Sequence, residues 1–348
     1  MPLSDVVNTP GEDSPAEDIK SSDLGSWVLS QMDNWNDARD TNYGTRWSQY
    51  ERSWRGIWSA NDVQRKSERS KLISPALSQA IESLTAEIEE AVFGVGRYFD
   101  VDPDIRDEDK AEMTILRNLL YNDMETADVK SSISEIVLNG AIYGTGIGKI
   151  IVDTIQNKYI TPKPVNGLPE VVEAGATGEE EVVIRLVPVS PKEFVIESGA
   201  KNLNDALGMG QITLVPMHII TKRIKDGIYN DVDVSPYNSG DLDEEEFDDI
   251  TIGTSTGAKL YEYHGLVPLD KLSTEILGDD FADLADPEAF DDEDDMVEAI
   301  VTCTDGGLVL RAIANPNTLQ DRNFLAFQFD TIPNRFWGRG VAEKGFNA

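Results

Sequence analysis

The 348-residue chain carries 64 Asp and Glu against 30 Lys and Arg, a formal net charge of −34, with 40% hydrophobic residues. A protein that grips nucleic acid neutralises phosphates with Lys and Arg, so this balance excludes tight DNA binding by the chain as a whole, though not DNA passing nearby. The lone cysteine, Cys303, excludes an intrachain disulfide, and no run of about 18 apolar residues is present to cross a membrane.

The hydrophobic content supports a sizeable core. The first residues lack the basic, apolar, small-residue order of an export signal, so the expectation is an unexported protein in a reducing compartment. Acidity by itself also serves solubility or a saline habitat.

Residues 1–25, rich in Asp, Glu, Ser and Pro, hold too little apolar surface to fold and read as a disordered acidic arm. A helical region is expected over 26–145. Within it residues 39–71 invert the charge, with Arg39, Arg46, Arg52, Arg55, Arg65, Lys66, Arg69 and Lys71 interleaved with Trp47, Tyr50, Trp54 and Trp58. Basic and aromatic side chains together clamp a nucleic-acid strand. The same aromatics fall at steps of three and four, which is one packed helical face. Trp, Tyr and Arg also anchor interfaces. All three readings stay open, and Arg46, Trp47, Arg52, Trp54, Arg55 and Trp58 are the candidate subunit-interface residues.

Ser74 as N-cap and Pro75 at the first helical position open a helix over 75–93, whose apolar stripe Leu77, Ile81, Leu84, Ile88 and Val92 runs until Gly94 and implies core burial. Further helices are expected over 107–126, with Ile115, Leu119 and Leu120 inward, and over 129–142, with Ile133, Ile136 and Val137 inward.

From 146 to 334 the grammar becomes that of strands. "GIGKIIVDTI", "EEVVIRLVPV", "KEFVIES", "GQITLVPMHIITKRI", "AKLYEYHGLV", "MVEAIVTCT", "GLVLRAIANP" and "NFLAFQFD" are short, rich in β-branched or aromatic residues, and divided by Gly, Pro, Asn or Asp. Asp305-Gly306-Gly307 marks a hairpin. Residues 225–300 hold 24 acidic residues and three basic ones, Lys225, Lys259 and Lys271, with acidic insertions near 236–256 and 278–296. Helices first and strands afterwards predict an α+β fold whose β part is mainly antiparallel.

Tests for chemistry fail one by one. "YGTGIGKI" has Tyr143 where a P-loop needs glycine and Ile150 where it needs Ser or Thr. "DVDPDIRDEDKA" offers Asp100, Asp102 and Asp104 in calcium-loop alternation, but Ile105 replaces the turn glycine and Ala111 the bidentate glutamate. His218 and His264 have strand-like neighbours and no local Cys or carboxylate at ligand spacing, so both read as structural. Cys303 reads as buried. The acidic run 291–295, adjacent carboxylates on a loop, makes a poor cage for two metals. No catalytic residue, cofactor or metal is expected, and the chain reads as a non-enzyme.

Four segments in order, "ERSKLISPALSQAIESLTAEIEEAVFG", "LNGAIYGTGIGKIIVD", "VPVSPKEFVIESGAKNLNDA" and "NRFWGRGVAEKG", resemble the portal, or head-to-tail connector, proteins of short-tailed double-stranded DNA bacteriophages, over residues 69–345. The acidic insertions have no match in that pattern. The resemblance implies the peripheral wing of a portal, with residues 335–348 forming the turn Gly338-Arg339-Gly340 and the start of a helix that leads into absent stem, clip and crown. It further implies a homo-oligomeric ring, usually of twelve, assembled in the host cytoplasm and sited in the virion at the capsid vertex. Double-stranded DNA would be packaged and ejected through that ring without sequence-specific contact. An ATP-hydrolysing terminase, capsid proteins and tail adaptors would dock on it, and no membrane would be involved. Carboxylates facing a channel would keep DNA from adhering to its wall. The rivals are an acidic DNA-mimic or scaffolding module, and a metal-dependent nucleic-acid enzyme fragment.

Overall fold

A computed structural model describes residues 23–57, 75–94, 96, 99, 110–159, 163–165, 168–170, 175–236, 257–272, 296–317 and 321–346. The expectations for 1–22, Trp58, Ser74, the Asp100–Asp104 alternation, most of the two acidic insertions and the 291–295 run lie outside these residues. The fold is α+β, with helices in the N-terminal half followed by antiparallel sheets.

Helix α1 (Asp23–Arg39) begins inside the stretch expected to be a disordered arm. Leu24, Val28, Met32 and Trp35 recur at helical steps and are buried, which gives the first turn a reason to fold. A π-helical turn (Asp40–Gly44) carries the chain without a break into α2 (Thr45–Arg55). Arg39, buried at the junction, reaches the Phe194 carbonyl at 3.0 Å and Asn36 Oδ1 at 2.7 Å. Helices α3 (Ala76–Phe93), α4 (Lys110–Thr126) and α5 (Val129–Tyr143) follow.

Strand β1 (Thr145–Tyr159) lies between β4 (Gly175–Val189) and β10 (Phe324–Gln328), all antiparallel, and a small hairpin of β2 (Lys163–Val165) and β3 (Leu168–Glu170) falls between β1 and β4 in the chain. The second sheet is a five-stranded meander: β5 (Phe194–Ile196), β6 (Gly208–Pro216), β7 (Gly257–Pro268), β8 (Met296–Thr304) and β9 (Val309–Ala314). The β8–β9 hairpin forms at the expected turn, where Gly307 takes a φ of 78°. The segment "GQITLVPMHIITKRI" splits, because Pro216 ends β6 and Met217–Lys225 becomes helix α6 around the buried Ile220.

Two main cores result. In one, α1 packs on one face of the meander, and Trp35 stacks on fully buried Tyr263 with ring centroids 5.9 Å apart. In the other, Trp47, Tyr50, Ile81, Ala141, Ile142, Ile147, Val189, Phe194, Phe324, Phe336 and Trp337 meet between α2, α3, α5 and both sheets.

The expected stripe of α3 is only partly buried. Ile81 is enclosed, Leu77, Leu84 and Ile88 are half-covered, and Val92 is exposed. In α4 the expected polarity is reversed. The half-buried face is Met113, Arg117, Tyr121 and Met124, while Ile115, Leu119 and Leu120 point outward with Leu116. Within one chain, α4 is turned with its aliphatic face to solvent.

These burials separate two substitutions on one helix. Ile81→Ala should lower unfolding stability by about 2–5 kcal/mol, whereas half-covered Leu84→Ala should cost clearly less. Urea unfolding of both variants checks the order, and equal losses would contradict the packing.

Candidate functional site

The site is the junction at which the four quoted segments meet. Helix α5 ends at Gly144, whose φ of 101° turns the chain directly into β1. Gly144 O accepts from the Phe329 amide at 3.0 Å, and Thr145 Oγ1 accepts from the Gly338 amide at 2.8 Å. The Arg339 amide donates to Asp330 O at 2.9 Å. Gln328 bonds through its side-chain amide to Phe336 O. Two backbone turns far apart in sequence therefore lie on one another.

Gly338 and Gly340 flank Arg339 at this contact. Neither takes a positive φ. Each is required by space: a Cβ on Gly338 would sit 2.7 Å from Gly144 O, and one on Gly340 would sit 2.6 Å from Ala141 O. The turn is a packed joint, and helix α7 (Val341–Phe346) leaves it against α2, α3 and α5 with Ala342 buried. Arg339 is exposed, and with Lys344 it holds Asp330, at 2.9 and 2.8 Å. Those two bonds keep the Asp330 carboxyl below its ordinary range.

The basic-aromatic segment divides between roles. Trp47 is 2% exposed, with its ring 4.8 Å from that of Trp337 and 5.8 Å from that of Tyr143. Its expected place in a subunit interface is thereby corrected, since the helical spacing of the aromatics reflects core packing. Trp54 is half-buried against the same core. Arg46 is exposed and Arg52 is half-covered.

Arg55 reaches Glu51 at 3.6 Å. Glu51 also takes Lys192 Nζ at 2.6 Å and the Tyr143 hydroxyl at 3.1 Å. Burial, and then the adjacent Glu51 charge, push the Tyr143 phenol far above its usual range. Tyr143 of "YGTG" and Lys192 of "SPKE" thus converge on one carboxylate of α2.

A second polar cluster lies on the meander face away from α1. Lys149 Nζ is 2.7 Å from Glu262, whose other oxygen is 2.8 Å from His264 Nε2. Burial alone would raise the Glu262 carboxyl, but the Lys149 ammonium and the His264 contact hold it well below the carboxylate range. His264 does have a local carboxylate partner, contrary to the sequence reading. Residues two apart on a strand share a face, so the spacing of Glu262 and His264 was a readable signal. Lys149, more than a hundred residues earlier, gave none. His218 is exposed on α6.

Cys303 is buried as expected, and its thiol is pushed up to about 12 by burial and then by Asp33 and Asp305. Among the described residues no three His, Cys, Asp or Glu side chains form a metal-ligating group. No protein-family model and no curated protein matches the sequence.

Two outcomes follow from this geometry. Gly144→Ala places a Cβ against the Gly338 carbonyl at a positive φ. It should destabilise by about 2 kcal/mol or more, read as a lowered urea midpoint. The depressed Glu262 contributes stability that is complete above its unfolded value near 4.3 and is lost as pH falls through the folded value. Acid should therefore reduce the stability of the parent more than that of Lys149→Met/Glu262→Leu, in which the pair is gone. Parallel acid profiles would remove the pair from the account.

Proposed function

We propose that the chain is a structural subunit that assembles with copies of itself into a ring of the bacteriophage portal type, with no catalytic role. The observation that carries assembly is the outward aliphatic face of α4, where Ile115 is 67% and Leu119 56% exposed beside Leu116 and Leu120. Val152 and Ile184, cross-strand partners on β1 and β4, are exposed to 64% and 61%. Contiguous apolar surface of this kind marks an interaction site. A second copy is the occupant that suits a ring, in which one patch of a subunit meets a different patch of its neighbour.

The portal-specific part of the reading is supported by the convergence of the four resembling segments. α3 supplies Ile81, the α5–β1 turn Ala141 and Ile147, "VPVSPKEFVIES" Val189 and Phe194, and "RFWGRGVAE" Phe336, Trp337 and Ala342, all to one core. Segments that resemble a family pattern in linear order form one compact unit, and the joint at Gly338 and Gly340 fixes the direction in which α7 departs. Passage of double-stranded DNA, docking of a terminase, and placement at a capsid vertex extend the same proposal. The net charge of −34 suits a surface past which DNA moves without adhering.

Assembly through α4 differs measurably from assembly through the basic α2. An apolar interface persists or tightens as salt rises, whereas exposed ion pairs are screened within about 8 Å at physiological ionic strength. Light scattering should show an oligomer that survives high salt and is reduced to monomer by Ile115→Asp with Leu119→Asp, with unchanged circular dichroism. A parent chain that stays monomeric at every concentration would favour the acidic DNA-mimic reading. An oligomer that dissolves in salt and ignores the α4 substitutions would return the interface to Arg46 and its neighbours.

A further inference from the structure

The meander has two faces, and α1 covers only one. On the other face the register places Glu262, Thr302 and Arg311 in one row across β7, β8 and β9, and His264, Ile300 and Ile313 in the next. Strand β1 passes over this face with Lys149, α6 and the residues after it contribute Arg223 and Tyr229, and between them lies a cleft of about 780 Å³. Its walls are partly aliphatic, from Ile228, Ile300 and Ile313.

Charge in the cleft is unlike that of the chain. Lys149 is engaged by Glu262 at 2.7 Å, and Arg322 is held by Glu298 at 2.6 Å. Among the described residues Arg223 donates to the Tyr229 hydroxyl alone, at 2.5 Å, and lies over its ring. Arg311 has no hydrogen-bond or ion-pair partner among the described residues, and Thr302 sits directly opposite it in the ladder. Asp321 is the remaining carboxylate on the lining. Two guanidinium groups that have no carboxylate partner among the described residues therefore line one cavity in a protein of net charge −34.

We propose that this cleft binds a phosphate group, held by Arg311 and Arg223 with the Thr302 hydroxyl as a further donor. A guanidinium offers a planar fork of N–H donors that matches an oxyanion, and a tetrahedral dianion can occupy two forks where a carboxylate is satisfied by one. The ligand is free phosphate or a small phosphate ester. A long nucleic acid would meet a chain of net charge −34, whereas a small ion enters the cleft alone. The site does not depend on ring assembly and stands or falls separately from it.

The test is calorimetric titration of inorganic phosphate into the full chain at constant ionic strength, beside a short single-stranded oligonucleotide and a glutamate-rich peptide. Saturable binding of one phosphate per chain is expected. Arg311→Gln should weaken it at least about tenfold, the scale of one charge-assisted hydrogen-bonded contact. Arg223→Gln, at an exposed position, should weaken it in the same sense, and Asp321→Asn should tighten it. Melting curves establish that each variant is folded, and should Arg311→Gln not fold, Arg223→Gln and Asp321→Asn decide. Absence of saturable phosphate binding, or binding unchanged in Arg223→Gln, overturns the proposal. So does binding of the peptide without phosphate, which would make the ligand a carboxylate, or tighter binding of the oligonucleotide.

Discussion

The backbone contact between Gly144 and Gly338 sets the geometry of much of the molecule. Strand β1 can begin one residue after α5 only because Gly144 turns at a φ of 101°, and the 335–340 turn can close over it only because neither partner carries a Cβ. The Phe329 bond to Gly144 O and the Thr145 bond to the Gly338 amide lie at the end of β1 that pairs with β10. Fixing them fixes which residues of β10 face β1. Trp337, next to this contact, is then delivered into the ring cluster with Trp47 and Phe194. A helix that leaves such a joint inherits its direction from backbone packing, so side-chain changes on α7 would have little leverage over where it points.

Two buried ionic groups do a comparable job for the meander. Arg322 donates to both Glu298 oxygens and to the carbonyls of Leu203, Ala206 and Leu207. The loop before β6 is thereby tied to β8, across an intervening strand. Lys149 ties β1 to β7 through Glu262. Desolvation offsets much of the Coulomb gain in such pairs, so their effect is felt in geometry more than in net stability: an Arg322 moved from its place removes the guanidinium donors from the Leu203 and Ala206 carbonyls and from the Glu298 carboxylate, while Leu207 O keeps the Leu266 amide. Both groups border the cleft beside Arg311 and Arg223, neither of which has a carboxylate partner among the described residues.

What the sequence made legible is what local periodicity encodes. The helices at 76–93 and 129–143, most strands, and the β8–β9 hairpin follow from spacing, from Pro75 and from the turn glycines. The helix at 217–225 was missed because "MHIITKRI" is β-branched enough to pass for strand, and only Pro216 marks the break. The burial of Trp47 was open in principle, since its three- and four-residue spacing with Tyr50 and Trp54 admits a core face, an interface or a clamp, and only the tertiary structure selects among them. The glycine joint was legible as glycines but not as a joint, because close approach between residues 144 and 338 leaves no local signature. The Arg311 cleft was illegible for the same reason: its cations Lys149, Arg223, Arg311 and Arg322 come from β1, α6, β9 and the segment before β10, and no local spacing joins them.

The misread direction of α4 bears most on function. An apolar stripe of Ile115, Leu116, Leu119 and Leu120 is evidence that those residues are buried somewhere, and periodicity cannot say whether the cover comes from the same chain. Here the chain instead covers the opposite face, with Met113, Arg117, Tyr121 and Met124. Each of these partly exposed aliphatic side chains forgoes a fraction of the roughly 1.5–3 kcal/mol that complete burial of a fully exposed one would yield. A protein of net charge −34 must also overcome repulsion between copies before it can recover that energy. Repulsion between exposed charges is cut off beyond a Debye length, whereas apolar burial acts at contact and is not screened. In the ring proposed above, subunits joined through α4 and the β1–β4 ribbon would meet over short apolar contacts while acidic surfaces stay apart.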